Sequence, residues 1–279
     1  MPRGGGAAPG GTDAGRGPHD VAYAERMPRL LVRRPSPLLA EGEITHIERV
    51  APDADLALAQ WRDYVHVFRA RGWEVVEVDP ADEHPDGVFV EDMVVLFDDL
   101  AVLTSPGAPS REGEQRAVAA AVAGLGVEVA RIDPPATLDG GDVLKVGRTA
   151  YVGLGSRTNE AGVTALRALL EPRGWRVVGV PTTKALHLKS AVTALPDGTV
   201  IGFPPIVDDP AVFPEFVAVP EAEGVAVVVL ADDTVLLSAS APRTAELLAA
   251  RGLDVITTPV SEFEKLEGCV TCLSVRVRD

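Results

Sequence analysis

The chain has 279 residues, 46% of them hydrophobic, with 26 Lys and Arg against 41 Asp and Glu for a net charge of −15. That balance argues against nucleic-acid binding, which needs clustered cations to neutralise phosphates, and no apolar run approaches the ~20 residues of a membrane-spanning helix. Two reducible cysteines and the lack of a signal-type apolar core near the start lead us to expect a cytoplasmic globular enzyme with a substantial core.

Residues 1–27 begin MPRGGGAAPGGTDAGRGP, with seven glycines and no apolar periodicity, and are expected to be a disordered tail. Residues 28–279 then form one domain, and within it the sequence repeats. Four times a helical pattern ends at a glycine and gives way to a short β-rich strand and a Pro- or Asp-rich turn: RGWEVVEVDP, LGVEVARIDP, RGWRVVGVPT and RGLDVITTPV. Gly72, Gly126, Gly174 and Gly252 suit the left-handed residue that closes a helix. They are spaced by 54, 48 and 78 residues, the last close to two units of 39.

A fifth, weaker unit fills that gap, with the hairpin SAVTALPDGTVIGF, a helical stretch near Pro210 to Phe216 and a strand from Phe216 to Val219. The clearest unit runs from the hairpin MVVLFDDLAVLT through the helix SREGEQRAVAAAVAGLG to the strand VEVARI. The first unit is expected to be closed by the C-terminal strand pairing beside RLLVRR. Repeats of this length signal a closed or stacked array. Because strands and helices alternate, the predicted fold is α/β, a five-unit α/β propeller with pseudo-five-fold symmetry.

Polar residues recur in register with the repeat. Counted from the unit glycines, Asp86, Asp139 and His187 lie 14, 13 and 13 residues on, and Asp92 and Cys272 both lie 20 on. Equivalent positions in a ring occupy equivalent places about its axis, so acids, a histidine and a cysteine should face one centre. Taken singly, Asp139 in TLDGGD reads as a turn former and His187 in ALHLKS as a core histidine; the shared register favours function. Arg111 in PGAPSRE and Arg157 in GSRTNE each open a helical run, with Ser110 and Ser156 or Thr158 as candidate caps, and are placed to clamp a carboxylate. Asp142, Lys145 and Arg148 read as turn and edge residues.

Both cysteines fall in EGCVTCLSVRVR, residues 267–278. From Cys269 the run alternates and is β-branched, so it reads as a half-buried strand that sends the two sulfurs to opposite faces. A thioredoxin-type pair needs a helix N-terminus, and a zinc site needs about four ligands; neither is expected. What remains is two inert buried cysteines or one nucleophile with a packed neighbour. Cys272, on a face with Ser274 and Arg276, is the candidate nucleophile. A thiolate attacking carbon, a histidine protonating the leaving group and then activating water, and carboxylates holding a cation make a coherent chemistry. Carboxylates around a cysteine hinder its ionisation. A cationic guanidinium substrate reverses that penalty, and a neutral amide does not.

PDGVFVED, PGAPSREGE, TLDGGD, SRTN, LHLKS and GCVTCLSV follow one another in this order, and from about Leu30 to Arg278 the chain resembles the dimethylarginine dimethylaminohydrolase family of the guanidine-modifying (amidinotransferase) superfamily. The resemblance implies the pentein propeller. It also implies hydrolysis of Nω-methylated arginines, asymmetric dimethylarginine or monomethylarginine, to citrulline and dimethylamine or methylamine through a covalent cysteine thiouronium, without cofactor or catalytic metal. The implied partner is a small-molecule substrate, with no nucleic acid or membrane, and a homodimer is compatible with it. Carried over by motif, Cys272 is the nucleophile, His187 the acid and base, and Asp139 its orienting partner. Asp92 binds the guanidinium, Arg111 and Arg157 the α-carboxylate, and Asp86 the α-ammonium, while Phe89, Glu91 and Leu266 line the pocket.

Arginine deiminases and amidinotransferases resemble His-x-Asp where this chain reads His187-Leu188-Lys189. A methylated guanidinium has lost N–H donors, so a second carboxylate there would be left partly unpaired at a cost of about 1–3 kcal/mol. The family's lid falls around Gly42 to His46 and usually offers an apolar residue near its tip, which here reads Gly42-Glu43-Ile44, and Cys269 is taken as packing. The alternatives are an arginine deiminase-type hydrolase of unmethylated arginine, a non-catalytic propeller binding module, and a thiol oxidoreductase that would join Cys269 to Cys272.

Overall fold

The computed structural model describes residues 27–278, so the expected tail lies outside the described residues except for Met27. β1 (Arg29–Val32) is followed by α1 (Ala54–Arg69), whose first turn is capped by the Asp53 carboxylate accepting from the Asp55 and Leu56 N–H groups. α1 buries Trp61, Tyr64, Val65 and Phe68 along one helical face. β2 (Glu74–Glu77) then returns parallel to β1.

The next two units repeat the pattern with an added hairpin: β3 (Val94–Phe97), β4 (Leu100–Leu103), α2 (Gln115–Ala123) and β5 (Glu128–Arg131), then β6 (Val143–Val146), β7 (Thr149–Leu154), α3 (Glu160–Leu170) and β8 (Arg176–Pro181). The short α4 (Leu188–Ala191) leads into β9 (Val192–Ala194), β10 (Val200–Gly202) and β11 (Phe216–Ala218), with 3-10 turns at Pro204–Ile206 and Pro210–Val212 in place of a helix. β12 (Val227–Ala231), β13 (Thr234–Ser238), α5 (Pro242–Ala250) and β14 (Asp254–Thr258) form the last complete unit. α6 (Ser261–Glu264) and β15 (Val275–Val277) end the chain.

These strands make five three-stranded sheets of one topology. In each, the middle strand is antiparallel to one neighbour and parallel to the strand that follows the helix or its substitute. The first sheet takes β15 as its antiparallel partner, with Arg29 opposite Val277, so the C-terminal segment closes the N-terminal unit as the sequence implied. Gly72, Gly126, Gly174 and Gly252 all adopt the left-handed conformation, with φ between +76° and +92°.

Two expectations fail. The helix after Arg157 is capped by Asn159, whose side chain accepts from the Gly162 N–H, and Ser110 lies inside a 3-10 turn, Pro109–Glu114, that has no side-chain cap. Thr158 has another task in the site. The expected strand from Cys269 is instead a turn, closed by the Cys272 N–H donating to the Cys269 carbonyl at 3.1 Å, and strand begins only at Val275. Glu267, at φ +57°, turns the backbone left-handed just ahead of it and breaks the alternation that the residue types alone suggest.

Arg33 is the largest fully buried side chain. Its guanidinium donates to three carbonyls, of Asp79 (3.1 Å), Gly87 (3.0 Å) and Glu114 (2.9 Å), and so ties the first unit to the second. Arg33→Ala leaves those buried acceptors unmatched and is expected to lower the free energy of unfolding by about 3 kcal/mol or more in urea denaturation; a loss below about 1 kcal/mol would show that the tie is dispensable.

Candidate active site

Turns from four separate units converge on one small pocket, lined by Glu43, Asp86, Phe89, Asp92, Arg111, Arg157, Leu186, His187, Leu266, Glu267, Gly268 and Cys272. Asp92 comes from the 3-10 turn Val90–Met93, Asp139 from the residue before Gly140–Asp142, His187 from the residue before α4, and Cys272 from the turn before β15. Asp92, Asp139 and His187 are almost wholly buried.

The charges are matched group by group. His187 donates from Nε2 to Asp139 Oδ2 at 3.0 Å, and its Nδ1 lies 3.9 Å from Asp92 Oδ1. Asp139 also accepts from the Gly107 N–H (2.8 Å), and Asp92 from the Gly141 N–H (2.9 Å) and Arg111 Nη1 (2.6 Å). Thr158 accepts from the Asp139 N–H and donates to Asp142 (2.6 Å), whose other oxygen takes the Leu188 N–H. Asp142, in the turn Gly140–Asp142 as its sequence suggests, is therefore also part of the buried network.

Burial works against an imidazolium at His187, but the charge of Asp92, the hydrogen bond to Asp139 and the charges of Asp142 and Asp139 outweigh it and raise the pKa to about 9. Burial likewise works to raise Asp92, yet the charges of His187 and Arg111 and their hydrogen-bonding neighbours hold it below the usual carboxylate range. Asp142 goes the other way: burial dominates and lifts it to about 6.

The cysteines are adjacent. Cys269 Sγ lies 3.2 Å from Cys272 Sγ and 3.2 Å from Thr271 Oγ1. This corrects the expectation of opposite faces, because an i,i+3 turn brings side chains together where a pleat separates them. The hydrogen bond between the thiols, then burial, then the nearby negative charges push the Cys272 thiol well above its ordinary range, whereas the same hydrogen bond lowers Cys269. Ser274 and Arg276 do not share a face with Cys272 around the pocket. Ser274 pairs with Tyr64 (2.6 Å) and Arg276 with Glu91 (2.8 Å).

Arg111 lines the pocket but is already engaged by Asp92, by Glu114 through Nε and Nη2, and by the Asp86 and Phe89 carbonyls. Arg157 pairs with the lid residue Glu43 at 2.7 Å. Glu43 also accepts from the Ser110 hydroxyl, and its N–H donates to Asp86 at 3.1 Å. The Glu267 carboxylate holds the lid's Thr45 and His46 N–H groups. Sequence reasoning missed Glu43 and Glu267 as site residues, since nothing local marks a half-buried glutamate as a latch.

Glu91 is not among the residues lining this pocket, contrary to expectation. Its Oε1 is shared by Lys189 (2.7 Å) and Arg276 (2.8 Å), and its buried Oε2 has no hydrogen-bond partner among the described residues. It lines instead a larger cavity of about 670 Å³, which contains neither His187 nor Cys272. With the lid in place the smaller pocket measures about 20 Å³, room for one water and no amino acid. Asp92, Asp139 and His187 each bring one potential ligand atom within 4.8 Å of the others. Their oxygens are already taken by Arg111, His187 and backbone N–H groups, an arrangement that stabilises an imidazolium.

The chain is 60% identical over 251 residues to an N(G),N(G)-dimethylarginine dimethylaminohydrolase of Streptomyces coelicolor, covering 90% of this chain and 97% of that one. A crystal structure of the Pseudomonas aeruginosa enzyme, a Cys-to-Ser variant complexed with citrulline, matches with a TM-score of 0.82 at 31% identity over 89% of this chain and 98% of that one. A dimethylarginine dimethylaminohydrolase His-to-Gly variant carrying an S-methyl-L-thiocitrulline adduct matches with a TM-score of 0.83 at 31% identity and the same coverage. No protein-family model matches the chain.

The His187 ion cluster has a pH signature. Because the folded-state pKa lies above the unfolded value of about 6.5, the imidazolium's contribution to stability is complete below about 6.5 and is lost as pH rises through about 9. The His187 ring resonances, followed by NMR, are expected to titrate near pH 9; a midpoint below 7 would mean that the aspartates do not hold the proton.

Proposed function

The chain belongs to the dimethylarginine dimethylaminohydrolase family, and on that premise we propose that it hydrolyses Nω-methylated L-arginine to citrulline and a methylamine. The observation that carries this reading is one pocket lined by Cys272, His187 and Asp92 together with Asp86, Arg111 and Arg157. The five sheets of one topology are read as five propeller blades, with the site on their common axis.

Once the lid lifts, Arg157 is released from Glu43 and Asp86 from the Glu43 N–H, freeing a cation for the substrate's α-carboxylate and an anion for its α-ammonium. Arg111, with most of its donors engaged, orients Asp92 and offers at most a remaining Nη1 hydrogen to the substrate. Phe89 and Leu266 form the apolar wall for the aliphatic stem, and Asp92 meets the guanidinium. Cys272 is held as a thiol until the arriving cation lowers the cost of its ionisation, and its proton is then lost to solvent as the substrate binds.

The thiolate then attacks the guanidinium carbon, and His187, oriented by Asp139, gives its proton to the departing amine. Neutral His187 next takes a proton from water as the water attacks the thiouronium carbon. Cleavage of the C–S bond leaves citrulline and regenerates the thiolate. No helix among the described residues is long and apolar enough to cross a membrane, and two free cysteines suit a reducing cytoplasm.

Cys272→Ser is expected to abolish citrulline release from asymmetric dimethylarginine, while Cys269→Ser keeps a measurable rate; the opposite pattern would overturn the assignment of the nucleophile. Mono- and dimethylarginine should turn over faster than arginine, and a panel in which unmethylated arginine wins would favour the deiminase alternative. Arg157→Ala is expected to raise KM by roughly 10- to 100-fold with a smaller change in kcat, as for loss of one charge-assisted bond to substrate; an unchanged KM would remove Arg157 from the substrate's grip.

A further inference from the structure

Hydrolysis needs one sulfur, yet the turn before β15 presents two in contact. The Cys272 N–H closes on the Cys269 carbonyl, the Gly268 N–H on that of Phe263 at 2.9 Å, and Gly268 packs so tightly on the Phe89 ring that a side chain there would strike it. The backbone thus fixes the pair in the i,i+3 geometry that brings both thiols to one side. A disulfide requires the sulfurs to close from 3.2 Å to about 2.05 Å, a movement within reach of side-chain rotation.

We propose that Cys269 is a redox sensor for this site: hydrogen peroxide or a related peroxide oxidises it, and the resulting Cys269–Cys272 disulfide reversibly withdraws the nucleophile. This rests on the reading of Cys272 given above. The Cys269 thiolate attacks one peroxide oxygen, the O–O bond breaks, and hydroxide leaves, giving Cys269 sulfenic acid. The Cys272 sulfur attacks the Cys269 sulfur, the S–O bond breaks, and a second hydroxide leaves. With the two thiol protons, both hydroxides become water. Two thiols and one peroxide thus yield one disulfide and two waters, the two electrons passing from sulfur to oxygen. A dithiol reverses the change by exchange and is itself oxidised to a disulfide.

The division of labour follows from the surroundings. Cys269 is half-buried, whereas Cys272 is 6% exposed. The hydrogen bond from Cys272 favours the thiolate at Cys269, and Thr271 supports it. Cys272 alone, held protonated until a cation arrives, is a poor target for oxidants.

The test treats substrate-free protein with a small excess of hydrogen peroxide, quenches it, and reads intact mass, peptide mapping and residual citrulline formation relative to each protein's own starting rate. The wild type is expected to lose about 2 Da, to show a Cys269–Cys272 cross-linked peptide, to lose activity and to regain it with dithiothreitol. Cys269→Ser should inactivate roughly tenfold more slowly, and then by oxygen addition at Cys272. Wild-type protein that gains oxygen without forming the cross-link would overturn the proposal, as would a Cys269→Ser protein that inactivates as fast as wild type and recovers equally with dithiothreitol. The mass and peptide readouts need no substrate. Failure to hydrolyse methylarginine would therefore strike the function alone, and intact hydrolysis without a cross-link would strike the switch alone.

Discussion

Everything in the site depends on keeping Asp92 charged where almost no water reaches it. An isolated buried carboxylate would take up a proton or unfold the segment that carries it, because desolvation costs several kcal/mol unless partners compensate. Arg111, the Gly141 N–H and the His187 imidazolium provide that compensation. Asp139 and Asp142 are each capped by a backbone N–H from another unit, Gly107 and Leu188, although at Asp142 burial outweighs its partners and raises the carboxyl to about 6. The buried charges therefore act as fasteners between neighbouring sheets. Glycine at 141 is part of this, since a Cβ there would collide with the Asp92 carboxylate and the His187 ring.

The same compensation sets the resting ionisation. The hydrogen bond with Cys269 and burial keep Cys272 protonated, and the Asp92 charge that helps hold His187 as an imidazolium also opposes a thiolate there, so the acid is charged while the nucleophile is neutral. Binding of a guanidinium adds a positive charge next to Asp92 and Cys272, which shifts the balance toward the thiolate without altering the protein's own residues. The lid fits this logic. Glu43 pairs with Arg157 through the same charge type that a substrate carboxylate would bring, so on the proposed role an opening lid would exchange one carboxylate for another and leave Arg157 matched.

Much of this was legible in the sequence because repetition constrains it. Four left-handed glycines at unit ends, three of them with a hairpin ahead, set the sheet order, including closure of the first sheet by β15. The nearly constant offsets of Asp86, Asp139 and His187 from those glycines agree with Asp86 and His187 lining one pocket and Asp139 bonding His187. What failed was local. VTCLSV alternates as a strand does, and residue types say nothing of a left-handed Glu267 or of a turn closed by Cys272, so the two sulfurs were placed apart when they touch. Capping by Asn159 over Ser156 or Thr158 depended on a hydroxyl claimed by Asp139 and Asp142, a contact across units that no window of sequence contains. The lid's Glu43 was equally hidden, its partners lying at Ser110 and Arg157.

Lys189 supplies a structural reason for the substrate preference that the His187-Leu188-Lys189 motif implied. Placed two residues after His187, it meets Glu91 at 2.7 Å, and with Arg276 it balances that acid on the side of the larger cavity. A carboxylate in place of Lys189 would stand beside Glu91 with no cation between them, and like charges buried together favour proton uptake by one of them. Asp92, beside His187 and Cys272, is the acid proposed to meet the guanidinium, while Asp86, Glu43 and Glu267 also line the pocket. An unmethylated guanidinium offers N–H groups on every edge and would leave several of them facing apolar wall, while a dimethylated one presents its remaining N–H donors on one side and its methyl groups on the other. With Phe89 and Leu266 lining the same pocket as Asp92, the second shape would turn its donors to the carboxylate and its methyl groups to apolar surface.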